Sequence, residues 1–548
     1  MPELVVGPLL RYVGETDAVI WVETSAPCEV EVLGTRERTF SVAGHHYALV
    51  CAGGLEPGTW HTYEVLLDGE RIWPEPGSRF PPSAFRTYPK DGPLHVVFGS
   101  CRLAAPHEPP YSLRKDEDHR GRELDALRTL ALRMKDEPRE GWPDVVLMLG
   151  DQVYADEVPP ETAAFVETRR GDGEHPGERV VDFEEYTHLY RESWTEPAVR
   201  WLLSTVSAAM IFDDHDVHDD WNISQSWVDE MRRHEWWNKH ILGALASYWV
   251  YQHLGNLAPE AHREDELLRR VKEAGDGEQV LREFAERADR ETSATRWSYC
   301  RDLGRTRLIV IDSRAGRVLE EGRRSMVDEE EWAWIAERAR GDFDHVLFAT
   351  SLPWLLGLGM HYVEGWAEAV AGGAWGERGK RLGERARRAG DLEHWAAFQR
   401  SFAQLRELQR SIATGERGEP PASIVTLSGD VHHSYLFEVE FPRDAAVRSA
   451  VWQAVCSPYR NPLDSRERQA IRLGMSRPFA TCARALARSA GVKDPGIRWR
   501  LTGGGPWFDN QVASLLIDGR QMRMRLDKAV PVDTREARLE RVLDHRLA

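Results

Sequence analysis

Four stretches of this chain place metal-ligating or acid–base side chains directly after an apolar run. LHVVFGSCR ends in Cys101 and Arg102. VVLMLGDQVYAD ends in Asp151, with Tyr154 three residues further on. SAAMIFDDHDVHDDWN carries Asp213, Asp214, His215 and Asp216, and SIVTLSGDVHHS carries Asp430, His432 and His433. A thiolate, a phenolate and an imidazole together suit a hard-to-borderline transition metal such as ferric iron. The carboxylates of Asp151, Asp214 and Asp430 suit a hard divalent ion such as calcium or magnesium as well. One carboxylate between two cations bridges them, and Asp151 is the natural candidate. Two cations about 3.5–4 Å apart clamp a phosphoryl group and generate hydroxide at neutral pH. Each block alone has a bland reading, a solvated acidic loop or a turn with surface histidines. The acidic residues from Asp213 to Asp220, however, repel one another strongly unless cations are bound.

The elements needed to position these groups are legible. Val145 to Leu149 are apolar without a break, the pattern of a strand buried on both faces of a parallel sheet. Gly150 then lets the backbone turn sharply. That puts Asp151 at the carboxyl end of a strand, where open α/β sheets hold their ligands. RLIVIDSR and HVLFATSLPW repeat the design. Six runs that end alike imply one shared site.

Around them, residues 1–90 read as a β region, with short β-branched and aromatic runs and a hairpin at Asp68-Gly69. His45-His46 is expected in a turn, and the Pro-rich residues 73–93 as a linker. Domains are expected at 1–92 and 93–548, with a helical insertion around 226–296. Residues 123–135 and 392–413 read as helices, 357–383 as a mobile loop near the site, and 534–548 as a helical tail. The strand-like pieces after Glu438 are expected to form a second sheet.

The bulk composition narrows the classes. With 548 residues there is room for a large core, and 42% hydrophobic against 29% charged residues describes a globular chain. A formal charge of −18 argues against a non-specific grip on nucleic acid. Six scattered cysteines form no CxxC pair, so no zinc ribbon or thioredoxin motif is indicated. No apolar run of about 18 residues and no signal peptide are read, so no membrane partner and a cytoplasmic location are expected.

FGSCR, GDQVYAD, FDDHDVHDDWN, TSLPW and LSGDVHHS, in this order, resemble the alkaline phosphatase D (PhoD-like) family of metallophosphatases. GPLLRYVGETDAVIWVET resembles that family's N-terminal β-sandwich. The resemblance implies an α/β fold, a four-layer αββα metallophosphoesterase core of two packed mixed sheets flanked by helices. An Ig/fibronectin-like β-sandwich would precede it. It implies Tyr154, Cys101 and His432 as ligands of Fe3+, and Asp151 as the bridge to a second metal, calcium by family analogy, that Asp214 and Asp430 also serve. His215 would contact the phosphate and help the leaving group depart. A hydroxide held by the two cations would attack phosphorus in line, hydrolysing a small phosphate monoester or diester. The alternatives are a phosphodiesterase or phospholipase D-like activity, or a non-catalytic phosphate-binding protein. Asp216 departs from the family pattern, and its extra charge puts the second metal's identity in question. Arg102 has two readings, phosphate orientation or a structural ion pair.

Overall fold

The computed structural model describes residues 1–171 and 176–548. The three leading apolar runs form parallel neighbours, Ser207–Ile211, Val145–Leu149 and Leu94–Gly99, at one side of a six-stranded sheet. The other three runs, Thr306–Ile311, His345–Thr350 and Ser423–Ser428, are parallel neighbours in a seven-stranded sheet. Every residue of Val145–Leu149, Ser207–Ile211, His345–Thr350 and Ser423–Ser428 is buried, which is why these strands read as unbroken apolar runs rather than alternating ones. The six run ends thus come from two sheets, which share one continuous hydrophobic core.

The C-terminal strands correct the expectation of a sheet of their own. Ala450–Val455 and Arg498–Trp507 extend the seven-stranded sheet. Gln511–Asp518 returns antiparallel onto Leu94–Gly99, and Gln521–Pro531 follows it. The tail is the edge strand Ala537–Arg546, not a helix. Its charges pair across to the neighbouring strand, Arg523 and Arg525 with Asp544 and Arg541 with Asp527, so a sequence that reads as a polar helix is held as a strand by cross-strand partners.

Residues 357–383 are also corrected. They lie on two helices, Leu358–Ala371 and Gly376–Ala389, rather than in a mobile loop. The glycines there serve close packing: a Cβ at Gly383 would come 2.4 Å from the Ala371 nitrogen, and one at Gly359 2.3 Å from the Phe479 ring. Residues 226–296 hold the helices Trp237–Tyr248 and Glu278–Arg290 among their elements.

The N-terminal region forms two four-stranded sheets and a short strand pair between Trp60–Thr62 and Ala84–Arg86. His45 begins the strand His45–Gly53 instead of lying in a turn. Its ring bonds Glu23 and Glu184, both at 2.9 Å, and so ties this region to the helix Phe183–Trp194. Arg11 adds a second tie. It is fully buried and donates to the carbonyls of Ala208, Tyr251 and Gln252.

Candidate metal centre

Backbone geometry at the strand ends sets the site. Cys101, Asp151, Asp430 and His432 all adopt left-handed φ, between 50° and 65°. Each such non-glycine residue costs on the order of 1–2 kcal/mol, so four together mark a place where the fold holds side chains in a chosen direction. Two glycines make room. A Cβ at Gly150 would lie 2.5 Å from that of Asp213, and one at Gly429 would lie 2.1 Å from Ser100 Oγ. Ser100 accepts from the Asp430 amide at 2.9 Å, linking an end from one sheet to an end from the other.

Donor atoms converge. One from each of Cys101, Asp151 and His432 lie within 4.8 Å of one another, and the same holds for Asp151, Asp213 and Asp214, and for Asp214, His215 and Asp219. Asp151 belongs to both of the first two groups. Cys101 Sγ is 3.3 Å and the Tyr154 hydroxyl 3.5 Å from Asp151 Oδ2. Asn461 donates to that hydroxyl at 3.2 Å. Asp151 Oδ1 is buried with no hydrogen-bond partner. Thiol, phenol, imidazole and carboxylate around an unpartnered buried oxygen fit a cation.

The electrostatics agree. Burial, with Asp213 and Asp214 adding to it, pushes the Asp151 carboxyl well above its ordinary range. Burial raises Asp213, Asp214, the Cys101 thiol and the Tyr154 phenol too. These groups are poor anions until positive charge arrives, and a bound cation reverses that preference. Burial also lowers His432 to about 3, leaving the neutral imidazole a metal needs.

One positive charge is built in. Arg314, fully buried, ends the run RLIVIDSR. It donates to Asp213 and Glu393, and its Nη2 lies 3.0 Å from Asp214 and 3.9 Å from Asp430. One guanidinium cannot neutralise Asp151, Asp213, Asp214 and Asp430 together, the more so as it shares Glu393 with Arg317.

Asp430 sits apart from the three donor groups. Its Oδ2 is 3.1 Å from His394 Nε2, and His394 Nδ1 is 2.6 Å from Glu364. Burial would raise this carboxyl, but His394 and Arg314 outweigh it and hold Asp430 at about 2. His433 turns away, bonding the Val431 carbonyl and stacking on Phe508. His215 stacks on Tyr154 at 4.7 Å, and its Nδ1 is 2.9 Å from Asp156. Burial opposes protonation there, yet Asp156 and Asp214 prevail, so His215 is held well above its usual range as a cation.

Two open readings are decided. Arg102 is a structural residue: buried, it pairs with Asp125 at 2.9 Å and donates to the Ser193 carbonyl at 2.7 Å. Asp216 adds no ligand to the donor groups. Its Oδ2 accepts from the amides of Asp151 and Asp213 at 2.8 and 2.9 Å, and its Oδ1 from Gln252 at 3.0 Å. Sequence reasoning missed Arg314, Glu393, His394, Glu364 and Asp156. Arg314 stood at a recognised strand end, whereas His394 and Glu364 carry no such signal.

Residues 131–285 match a family model described as PhoD-like phosphatase. The chain carries a PhoD-like phosphatase domain. Residues 1–85 match a domain of unknown function (DUF7800). A solved structure titled "Structure of PhoD" superposes with a TM-score of 0.59 at 12% identity, covering 99% of this chain and 92% of that one, so the PhoD-like fold runs the length of the protein. A solved cyclomaltodextrinase is also matched, at a TM-score of 0.14 and 9% identity, covering 96% of this chain and 92% of that one. No curated protein matches the chain. In the PhoD-like domain, Val145–Leu149 and Ser207–Ile211 deliver Asp151, Tyr154, Asp213, Asp214 and His215, while Cys101 and His432 join Asp151 from outside the matched segment and Asp430 stands beside them on His394.

Proposed function

We propose that this protein is a metal-dependent phosphoester hydrolase. The observation that carries the reading is the Asp151 carboxylate, shared between Cys101 and His432 on one side and Asp213 and Asp214 on the other, with an unpartnered buried oxygen. Cys101, Tyr154, His432 and Asp151 would hold one metal, ferric iron, and Asp151, Asp214 and Asp430 a second, calcium. Bound there, the metals supply Lewis acidity toward a phosphoryl oxygen and an activated water.

The chain's own residues do the rest. Asp156 fixes the His215 ring through Nδ1, which leaves Nε2, 3.9 Å from Asp219, as the nitrogen that would meet the substrate. His215, paired with Asp156, would stabilise negative charge on the phosphoryl oxygens and, when protonated, give its proton to the leaving oxygen. Arg314 orients Asp213 and Asp214 without offering a titratable proton. Asp216 holds the amides of Asp151 and Asp213, and so the spacing of the two strand ends. The two N-terminal sheets are read as the Ig-like sandwich of residues 1–92, and the two large sheets with their helices as the αββα core of residues 93–548.

Elemental analysis of the purified protein, alongside a panel of phosphate mono- and diesters, tests the reading and fixes the substrate class. Asp151→Asn is expected to lose metal and activity together. If metal content fell while phosphoesterase activity stayed at the wild-type level, the proposed chemistry would be wrong.

A further inference from the structure

The helices Leu358–Ala371, Gly376–Ala389 and Arg477–Ser489 share a small core of their own, which includes Tyr362, Trp366, Val370, Ala483 and Ala487 and is separate from the main one, and Ser465–Gly474 lies beside them without entering it. The unit borders the metal centre through Glu364, which bonds His394 beside Asp430.

Its outer surface differs from the rest of the molecule in two respects. Most of the large apolar side chains exposed among the described residues are here: Leu358 at 41%, Trp375 at 40%, Leu382 at 48%, Leu473 at 63% and Leu486 at 38%. The charge also has the opposite sign to that of the chain, whose net is −18. Gly376–Ala389 carries six Lys/Arg against two Glu, Ser465–Gly474 three Arg against one Glu, and Arg477–Ser489 three Arg and no acidic residue, although Arg387 is buried against Glu321 and Glu384, and Arg484 and Arg488 pair with Asp494. Arg378, Arg381, Arg385 and Arg477 are exposed and make no ion pair among the described residues.

The apolar residues are ordered. Along Arg477–Ser489, Pro478, Cys482, Ala485 and Leu486 are exposed and recur at helical spacing, while Ala483 and Ala487 face the small core. The helix thus has an apolar stripe on each side, and only one of them is covered. Trp375, just before Gly376–Ala389, donates to the Ser489 carbonyl at 3.3 Å and so ties the start of that helix to the end of Arg477–Ser489.

We propose that this helical face docks the protein on an anionic phospholipid surface. Leucines interleaved with arginines on surface helices match the two layers of such a membrane: the apolar side chains enter the boundary of the acyl region, and the guanidinium groups stay among the phosphates. Arginine stems cover apolar surface while their heads remain in the polar layer. A polyanion in water would call for the arginines but not the leucines. A second copy would bring two positive faces together. No helix among the described residues is long and apolar enough to cross a membrane, and a docking face needs none. This departs from the expectation of no membrane partner, and it stands apart from the hydrolysis reading.

Sedimentation of the full chain with phosphatidylcholine vesicles, with and without about one-third phosphatidylglycerol, tests it. The protein is expected to bind the anionic vesicles, bind pure phosphatidylcholine at least tenfold more weakly, and be released by salt. The double variant Leu473→Ser/Leu486→Ser should lose about tenfold or more in vesicle binding. Arg378→Gln/Arg381→Gln/Arg385→Gln should lose a comparable factor, with melting curves unchanged because all these side chains are exposed. Wild-type protein that ignores anionic vesicles overturns the proposal. So does a leucine variant that binds as well as wild type, which would make the face a site for soluble polyanions.

Discussion

Replacing Asp216 by alanine removes the strut between the two strand ends that carry Asp151 and Asp213. The carboxylate receives both backbone amides, at 2.8 and 2.9 Å, and Gln252 at 3.0 Å. It is 3% exposed, so in the alanine variant no bulk water reaches those amides directly. Two buried N–H groups without a partner cost about 1–3 kcal/mol each, so a loss of about 3–5 kcal/mol is expected near pH 4, where the Asp216 carboxyl carries no charge penalty. In a chain this long that lowers the melting temperature by about 3–4 °C. Freed of its anchor, Asp151 loses its aim, and metal affinity should fall about 10- to 100-fold, as for other residues that orient ligands.

Asp216→Asn separates geometry from charge. The amide oxygen still accepts both N–H groups, and only the Gln252 bond is lost. Burial holds the Asp216 carboxyl at about 7 instead of 3.8. Below pH 4 the group is protonated in folded and unfolded chains alike. Between 4 and 7 only the folded chain keeps the proton, so stability falls as pH rises. Above 7 the penalty is complete, about 4 kcal/mol from a shift of about three units. In chelator-treated protein, Asp216→Asn should therefore gain on wild type as pH rises from 4 to 7. The assay is thermal unfolding across pH, with elemental analysis of each variant. An alanine variant that melts within about 1 °C of wild type and keeps its full metal content would refute the strut.

Tyr154→Phe should abolish any visible phenolate-to-iron absorption of the purified protein, and Cys101→Ser should lower metal occupancy; a colourless wild type with full activity removes the ferric assignment. Arg102→Met leaves Asp125 buried without its partner and should destabilise the fold by about 3–5 kcal/mol while KM is unchanged, whereas a raised KM with normal stability would return Arg102 to the phosphate. His45, held at about 9 against burial by Glu23 and Glu184, contributes stability that is complete below about pH 6.5 and lost as pH rises through 9. Melting curves of His45→Gln should lack that loss, and an identical pH profile in variant and wild type would dismiss the ion pair.

The sequence alone determined the strands and what stands at their ends. Val145–Leu149, Ser207–Ile211, His345–Thr350 and Ser423–Ser428 are buried on both faces, and continuous apolar runs are the only pattern that suits them. Cys101, Asp151, Tyr154, Asp214 and His432 were legible for the same reason, as polar groups at fixed offsets from those runs. Contacts across long separations were not. That the six ends divide between two sheets depends on pairing register, which no local window contains. Arg314 and His394 acquire meaning only from Asp213 and Asp430, which lie 101 and 36 residues away along the chain. Asp216 read as surplus charge until its oxygens were found on backbone amides. The glycines of residues 357–383 suggested a loop, because the need for Gly383 lies in the Ala371 backbone packed against it. Residue types set which chemistry was possible; the tertiary structure decided which oxygens face a cation and which hold the scaffold, because that depends on the partners each carboxylate meets.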